Sequence, residues 1–390
     1  MVKSFQFARV PKIHFKCGSI SELPSISKSF GNRILLVTGK NSFLESGKAE
    51  KLFSDFNKEG INYKIINIPG EPSPEIIDEA VICLNNEDVN LVVGIGGGSV
   101  LDAGKAISAM MHKPESIVEF LEGVGTKEHP GTKIPFIAIP TTSGTGSEAT
   151  KNAVISRTGE NGFKRSLRHD NLVPDIAIVD PQLTLKCPKE ITAASGMDCF
   201  TQLTEAYLSN KSNEYTDALA FEGLKEIKNT LFRSYSEGED IEARTGMSFA
   251  ALTSGICLAN AGLGAVHGFA SSVGGMYNIP HGLICGTLMA ISNEVNVREL
   301  RKSQTVSPAL KKYVLLGKLF LGQEGKSDDY YIDGFIQYLH KLTIELQLPG
   351  LKQFGLEEKK IELICSKTDI KNNPVKLSME DLVEILKRRL

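Results

Sequence analysis

The chain contains no run of about 18 or more apolar residues, the length a bilayer-spanning helix needs. It has no C-x-x-C pair. Its seven cysteines stand alone at Cys17, Cys83, Cys187, Cys199, Cys257, Cys285 and Cys365. An odd number of scattered thiols in a long chain reads as reduced and cytoplasmic rather than as a disulfide framework. Cys199, nearest to the helix discussed below, reads as a small buried hydrophobe rather than a ligand or nucleophile. Charge of either sign is not in excess: the formal net charge is −2, so no global field favours nucleic acid or an anionic membrane. The opening M-V-K-S-F-Q-F-A-R-V-P-K has no apolar core, which argues against a signal peptide. There is no internal repeat and no low-complexity segment.

What is present is an ordinary globular composition, 41% apolar and 23% charged, spread over 390 residues, enough for two domains. In the first half, short β-branched runs alternate with helical patterns. I-L-L-V-T (34–38), Y-K-I-I-N-I (63–68), L-V-V-G-I-G (91–96) and F-I-A-I-P (136–140) read as buried strands, with helices around 45–59, 74–86 and 99–111 between them. Strands separated by helices imply a parallel sheet covered on both faces. Further strands are expected at 152–156, 163–168 and 175–180. After residue 185 the strand patterns vanish, and helices are expected at 216–232, 240–259, 311–321, 329–347 and 378–389. The expected architecture is an N-terminal α/β dinucleotide-binding domain with a parallel sheet (1–185), followed by an all-α C-terminal metal-binding domain (186–390).

Two loops carry the strongest local signals. In L-V-V-G-I-G-G-G-S-V-L-D-A-G-K (91–105) a strand runs through Gly96, Gly97, Gly98 and Ser99 into a helix. Glycines let backbone N–H groups approach a phosphate, and the helix start adds a positive dipole end. Ser99 and Asp102 have the spacing of a capping box, and a tight strand–helix turn alone accounts for the same residues. The pattern is neither G-x-G-x-x-G nor a P-loop. The second loop, P-T-T-S-G-T-G-S-E (140–148), also follows a strand, at the end of an α/β sheet where ligands bind.

G-M-D-C-F-T-Q-L-T-E (196–205) places Asp198 and Gln202 one turn apart on what looks like an amphipathic helix. Two isolated histidines follow, His267 and His281. A carboxylate with imidazoles suits Zn²⁺ or Fe²⁺, although isolated histidines in helical domains are commonly packed core residues.

G-G-G-S-x-x-D-x-x-K (96–105), P-T-T-x-G-T-G-S-E (140–148), L-V-P-D-x-A-I-V-D-P (172–181), G-M-D (196–198) and I-P-H-G (279–282) together resemble the iron-containing (group III) alcohol dehydrogenases, over nearly the whole chain. The resemblance implies an active site in the cleft between the two domains. It implies Gly97, Gly98 and Ser99 on the pyrophosphate, Thr141, Thr142 and Thr145 along the cofactor, and Lys164 at the ribose. Asp198, His267 and His281 match three of the four family metal ligands, and His267 and His281 are thereby also catalytic candidates. Where the family has a fourth ligand, a histidine, this chain has Gln202, a neutral amide donor. A second family histidine, near the nicotinamide, is replaced by Ser271, a candidate proton relay. The implied reaction is NAD(P)-dependent interconversion of an alcohol with an aldehyde or ketone, on a small-molecule substrate, by a homo-oligomer. A metal-independent reductase similar to maleylacetate reductases is the alternative. A lyase resembling dehydroquinate synthases and a nucleotide-binding protein without catalysis are more distant ones.

After the first strand, many NAD-specific members of this family carry an Asp that repels a 2′-phosphate. Here the position is Gly39, followed by Lys40, Asn41 and Ser42, a cation and small donors. NADP(H) is therefore expected as cofactor, or accepted alongside NAD(H), together with a divalent metal.

Overall fold

The computed structural model describes residues 4–40, 42–85, 87–302, 307–370 and 372–390. The chain separates into two compact units. One holds Ala8–Arg157 and Lys164–Cys187. The other holds Pro188–Leu390, with Thr158–Phe163 and the described residues before Ala8.

The first unit is built on strands β1 (Lys12–Phe15), β2 (Arg33–Gly39), β3 (Asn62–Ile68), β4 (Leu91–Gly96), β5 (Phe136–Pro140) and β8 (Ile176–Val179). They form one six-stranded sheet in the order β1-β8-β5-β4-β2-β3. Every pairing is parallel. Strands β4, β5 and β8 are buried along their whole length, as near-continuous apolar runs in a parallel sheet must be. The edge strands β1 and β3 are largely exposed or half-exposed. Helices α1 (Leu23–Lys28), α2 (Lys48–Lys58), α3 (Pro74–Cys83) and α4 (Gly98–Met110) connect the strands. Leu52 and Phe56 of α2 pack with Leu36, Val93, Ile95, Ile137 and Ile178 in one core.

Strands β6 (Asn152–Arg157) and β7 (Phe163–Arg168) form a separate two-stranded sheet instead of extending the main one. The strand expected at 175–180 joins the main sheet between β5 and β1. Strand β1, unanticipated because it is short and exposed, pairs Lys12 with Ile176 through Phe15 with Val179.

The second unit is helical: α5 (Lys189–Leu208), α6 (Glu214–Ser236), α7 (Ile241–Ala261), α8 (Ala265–Met276), α9 (His281–Arg301), α10 (Pro308–Leu321), α11 (Asp328–Glu345), α12 (Ile361–Ser366) and α13 (Met379–Lys387). Helix α5 is not the amphipathic surface helix its pattern suggests: from Gly196 to Leu208 every residue is buried. Phe200 stacks on Phe320, ring centroids 5.0 Å apart, inside a core that includes Leu203, Leu224, Tyr313 and Phe335. Helices α8 and α9 share a second core around Val266, Phe269, Ile284 and Leu288. Among the described residues, no single helix is long and apolar enough to cross a membrane.

Candidate functional site

Helix α5 carries Asp198 into the helical core, where its side chain is 1% exposed. A buried carboxylate must be paired or neutralised. Two imidazoles supply the pairing: His267 Nε2 lies 3.2 Å and His281 Nε2 3.7 Å from Asp198 Oδ1. Burial alone would raise the Asp198 carboxyl, yet His281 and His267 outweigh it and bring the group down to about 2. Burial likewise opposes a charged His267, but Cys285, Asp198 and Glu205 hold it well above the ordinary imidazole value.

The histidines arrive from different elements. His267 lies in the first turn of α8, and its other ring nitrogen, Nδ1, is 2.7 Å from Glu205 Oε2. Glu205 Oε1 also accepts from the Val266 backbone N–H at 2.7 Å. This carboxylate, seven residues after Asp198 on α5, holds the ring so that Nε2 faces Asp198. His281 opens α9, whose first turn approaches α5 closely. A Cβ on Gly282 would stand 2.4 Å from the Ala194 carbonyl oxygen and 3.3 Å from Asp198 Cβ. One on Gly286 would stand 2.8 Å from Met197 Cβ. Only glycine at both positions lets the two helices meet at this depth.

A fourth group completes the cluster. Cys285, one turn after His281, places Sγ 3.6 Å from His267 Nε2 and 3.8 Å from His281 Nε2. Single donor atoms of Asp198, His267, His281 and Cys285 all lie within 4.8 Å of one another. Burial pushes the Cys285 thiol up to about 12. One carboxylate, two imidazoles and one sulfur suit Zn²⁺ or Fe²⁺. Gln202, expected in this set, is buried beside Asp198 on α5, and its Oε1 accepts from the Ser254 hydroxyl at 3.1 Å. Ser271 Oγ donates to the His267 carbonyl one turn earlier, at 3.1 Å.

The sequence reading passed over Cys285 and Glu205. Their signals are visible afterwards: His281 and Cys285 are spaced i, i+4, and Asp198 and Glu205 i, i+7, so each pair shares one helix face.

The glycine and threonine loops meet in the α/β unit. Strand β2 lies between β3 and β4, so the chain reverses its winding there, and open α/β sheets bind ligands at the carboxyl ends of strands at such a point. Gly39 ends β2 and Gly96 ends β4. A Cβ on Gly39 would lie 3.6 Å from Ser42 Oγ and 3.7 Å from Val100 Cγ2, ordinary contact distances. The Thr141 N–H donates to the Gly96 carbonyl at 3.0 Å. Gly98 is required because Thr145 Cγ2 would lie 2.6 Å from any Cβ there, and Thr142 Oγ1 comes within 3.3 Å of the same point on Gly97. Gly97, Gly98, Ser99, Thr141, Thr142 and Thr145 are all half-buried, Lys40 and Ser42 are exposed, and Asn41 lies outside the described residues.

Asp102 does not form the expected capping box. Gly97 is the cap of α4 and no side chain caps it. Asp102 instead accepts from the Ser147 hydroxyl and from the Val154 N–H, binding the threonine loop to α4. Buried Lys105 completes that brace, donating to the Ser147 and Asn152 carbonyls and to the Thr150 hydroxyl at 2.7–3.2 Å. Desolvation lowers its ammonium to about 8 and raises its neighbour Glu148 to about 7. Lys164 is ion-paired with Glu71 at 2.7 Å.

A family model described as iron-containing alcohol dehydrogenase matches residues 11–181, and one for that family's C-terminal region matches residues 192–390. The chain belongs to the iron-containing alcohol dehydrogenase family. Its curated relatives include an NADPH-dependent butanol dehydrogenase of Clostridium saccharobutylicum, 30% identical over 96% of this chain and 95% of the relative. An NAD-dependent methanol dehydrogenase of Bacillus methanolicus is 31% identical over 96% of both chains. Among solved structures, an alcohol dehydrogenase from Oenococcus oeni superposes with a TM-score of 0.88 and 29% identity, over 99% of this chain and 100% of that one. Within this iron-containing alcohol dehydrogenase, the residues bearing the family's metal pattern converge in the helical unit, and those bearing its nucleotide pattern converge at the sheet's carboxyl end.

Proposed function

We propose that the protein is an NAD(P)-dependent alcohol dehydrogenase, reversibly converting an alcohol to an aldehyde or ketone, with residues 1–185 holding the dinucleotide and residues 186–390 a divalent metal. The observation that carries this reading is the convergence of Asp198, His267 and His281, with His267 Nε2 3.2 Å and His281 Nε2 3.7 Å from the buried Asp198 carboxylate. A bound Zn²⁺ or Fe²⁺ would supply Lewis acidity toward the substrate oxygen. Asp198 and the two histidines hold that ion, with Gln202 beside Asp198 on the same helix. Glu205 fixes the His267 ring. The uncapped start of α4, with Gly97, Gly98 and Ser99, offers N–H donors to the pyrophosphate. Thr141, Thr142 and Thr145 line the other side, and Lys164 lies toward the ribose. Ser271 serves proton transfer.

The cofactor we propose is NADP(H), with NAD(H) accepted. Support comes from Gly39 at the switch point, where no carboxylate opposes a 2′-phosphate, and from exposed Lys40 and Ser42 next to it. We place the protein in the cytoplasm, on the strength of seven cysteines none of which is in a disulfide, as a homo-oligomer on the family pattern. Near-neutral net charge supports no role for nucleic acid or membrane.

The test is turnover of a panel of primary alcohols and aldehydes with NADPH and NADH, before and after chelation. Turnover lost with the metal and restored by Zn²⁺ or Fe²⁺ is expected. Undiminished turnover in fully metal-free protein would establish the metal-independent reductase instead, and nucleotide binding without turnover on any substrate would establish the non-catalytic alternative.

A further inference from the structure

We infer that Cys285 is the fourth protein ligand of the metal centre, in place of the imidazole that Gln202 lacks, giving a shell of one carboxylate, two imidazoles and one thiolate. This rests on the metal reading of Asp198, His267 and His281 given above.

The geometry is that of a shell rather than of chance neighbours. Bonds of about 2.0–2.3 Å from oxygen, nitrogen and sulfur to a tetrahedral ion set the donors roughly 3.3–3.8 Å apart. The donor pairs measured here, Asp198–His267, Asp198–His281, Cys285–His267 and Cys285–His281, are 3.2, 3.7, 3.6 and 3.8 Å apart. The remaining two of the six pairs, Asp198–Cys285 and His267–His281, lie within 4.8 Å, and removing Cys285 leaves the arrangement open on one side.

The helices also aim it there. His281 and Cys285 are one turn apart on α9. The glycines that let this face sink onto α5, Gly282 against Ala194 and Asp198 and Gly286 against Met197, each follow one member of the pair. The alternative donor is engaged elsewhere: the amide oxygen of Gln202 accepts from Ser254 on α7. The charge balance follows. A thiolate with the Asp198 carboxylate neutralises a divalent ion, whereas an amide in its place leaves one positive charge in a buried site. A sulfur donor shifts the preference toward Zn²⁺ over harder ions.

The experiment uses metal-free full-length protein titrated with Co²⁺ alone. Wild type is expected to develop visible d–d bands together with a near-ultraviolet sulfur-to-cobalt charge-transfer band. Cys285→Ser should keep the visible bands and lose the near-ultraviolet one, while Gln202→Leu should keep both. Visible bands without the sulfur band in wild type, or a sulfur band surviving in Cys285→Ser, overturn the assignment and leave the metal reading standing. No cobalt bands of any kind remove the metal reading and this inference with it. Zinc-edge X-ray absorption on wild-type protein distinguishes the same two shells without a variant. One sulfur at about 2.3 Å is expected, and a shell of nitrogen and oxygen alone at about 2.0–2.2 Å overturns it.

Discussion

Glu205 touches no proposed ligand atom other than through His267, yet it decides which nitrogen of that ring faces Asp198. Outer carboxylates of this kind commonly contribute 10–100-fold to metal affinity. Glu205→Gln should therefore weaken Zn²⁺ retention by about 10–100-fold in competition with a chromophoric chelator, with the far-ultraviolet circular dichroism unchanged. Equal retention would show that the ring is oriented by packing alone. At Gly39 the local space decides the experiment: an added Cβ meets only ordinary contacts, so Gly39→Asp tests charge rather than sterics. The variant should lose kcat/KM for NADPH by on the order of 10-fold, since about 1 kcal/mol or more of repulsion is restored, and keep its kcat/KM for NADH. Unchanged NADPH use would refute the role given to this position. Asp198 and His281 were legible because the motifs G-M-D and I-P-H-G carry them, whereas His267 stood out only as an isolated histidine matched through the resemblance. Cys285 and Glu205 were not, because a lone cysteine or glutamate in a helix carries no local mark of its partner. Only the fold brings α5, α8 and α9 to one point.

Elements were legible in proportion to how strongly burial patterns them. Strands β4 and β5 are apolar throughout and β2 is apolar from Ile34 to Val37, and the sequence placed each within a residue or two. Helix α5 was misjudged because it is surrounded on all sides, so its buried polar residues mimic a solvent face. The close approach of α9 to α5 gives a test at this scale. Gly282→Ala would gain up to about 1 kcal/mol of helix propensity, but a methyl 2.4 Å from the Ala194 carbonyl oxygen cannot be accommodated without moving backbone. The clash should win, with a net loss of about 1–3 kcal/mol in denaturant unfolding and looser metal retention. The threonine loop gives another. Glu148 is raised from 4.5 to about 7, so the folded protein binds its proton more tightly than the unfolded chain does. Its stabilising contribution is complete below the unfolded value and is lost as pH rises through the folded one. Glu148→Gln, uncharged throughout, should thus lose less stability between pH 5 and pH 8 than wild type, by on the order of 1–3 kcal/mol in chemical denaturation. Parallel stability–pH curves for the two proteins would show that this carboxylate does not drive the slope.

Across the whole molecule, the two chemistries are divided between two units: every proposed metal donor lies in the helical one, every glycine-loop and threonine-loop residue in the other. Stripping the metal should lower the thermal midpoint, and Zn²⁺ at 100 times its dissociation constant should restore about 2.7 kcal/mol. Asp198→Ala should abolish that recovery. Limited proteolysis of the stripped protein should cut first within residues 188–390; first cuts within residues 8–157 would mean the ion stabilises the other unit. The division into an α/β part and a helical part was legible in the sequence, because strand patterns stop near residue 185. The way β6 and β7 leave the main sheet was not, since pairing partners are a property of tertiary structure.

One consequence of the sheet order concerns time rather than energy. Lys12 finds its partner only at Ile176, on the last strand of the sheet. A loop closure of that length is slow, and local contacts form long before it. A ribosome must therefore deliver nearly the whole α/β unit before β8 can bridge β1 and the open edge of β5. Until then the growing chain exposes β5, an apolar strand with one unpaired edge, the surface a holding chaperone would protect.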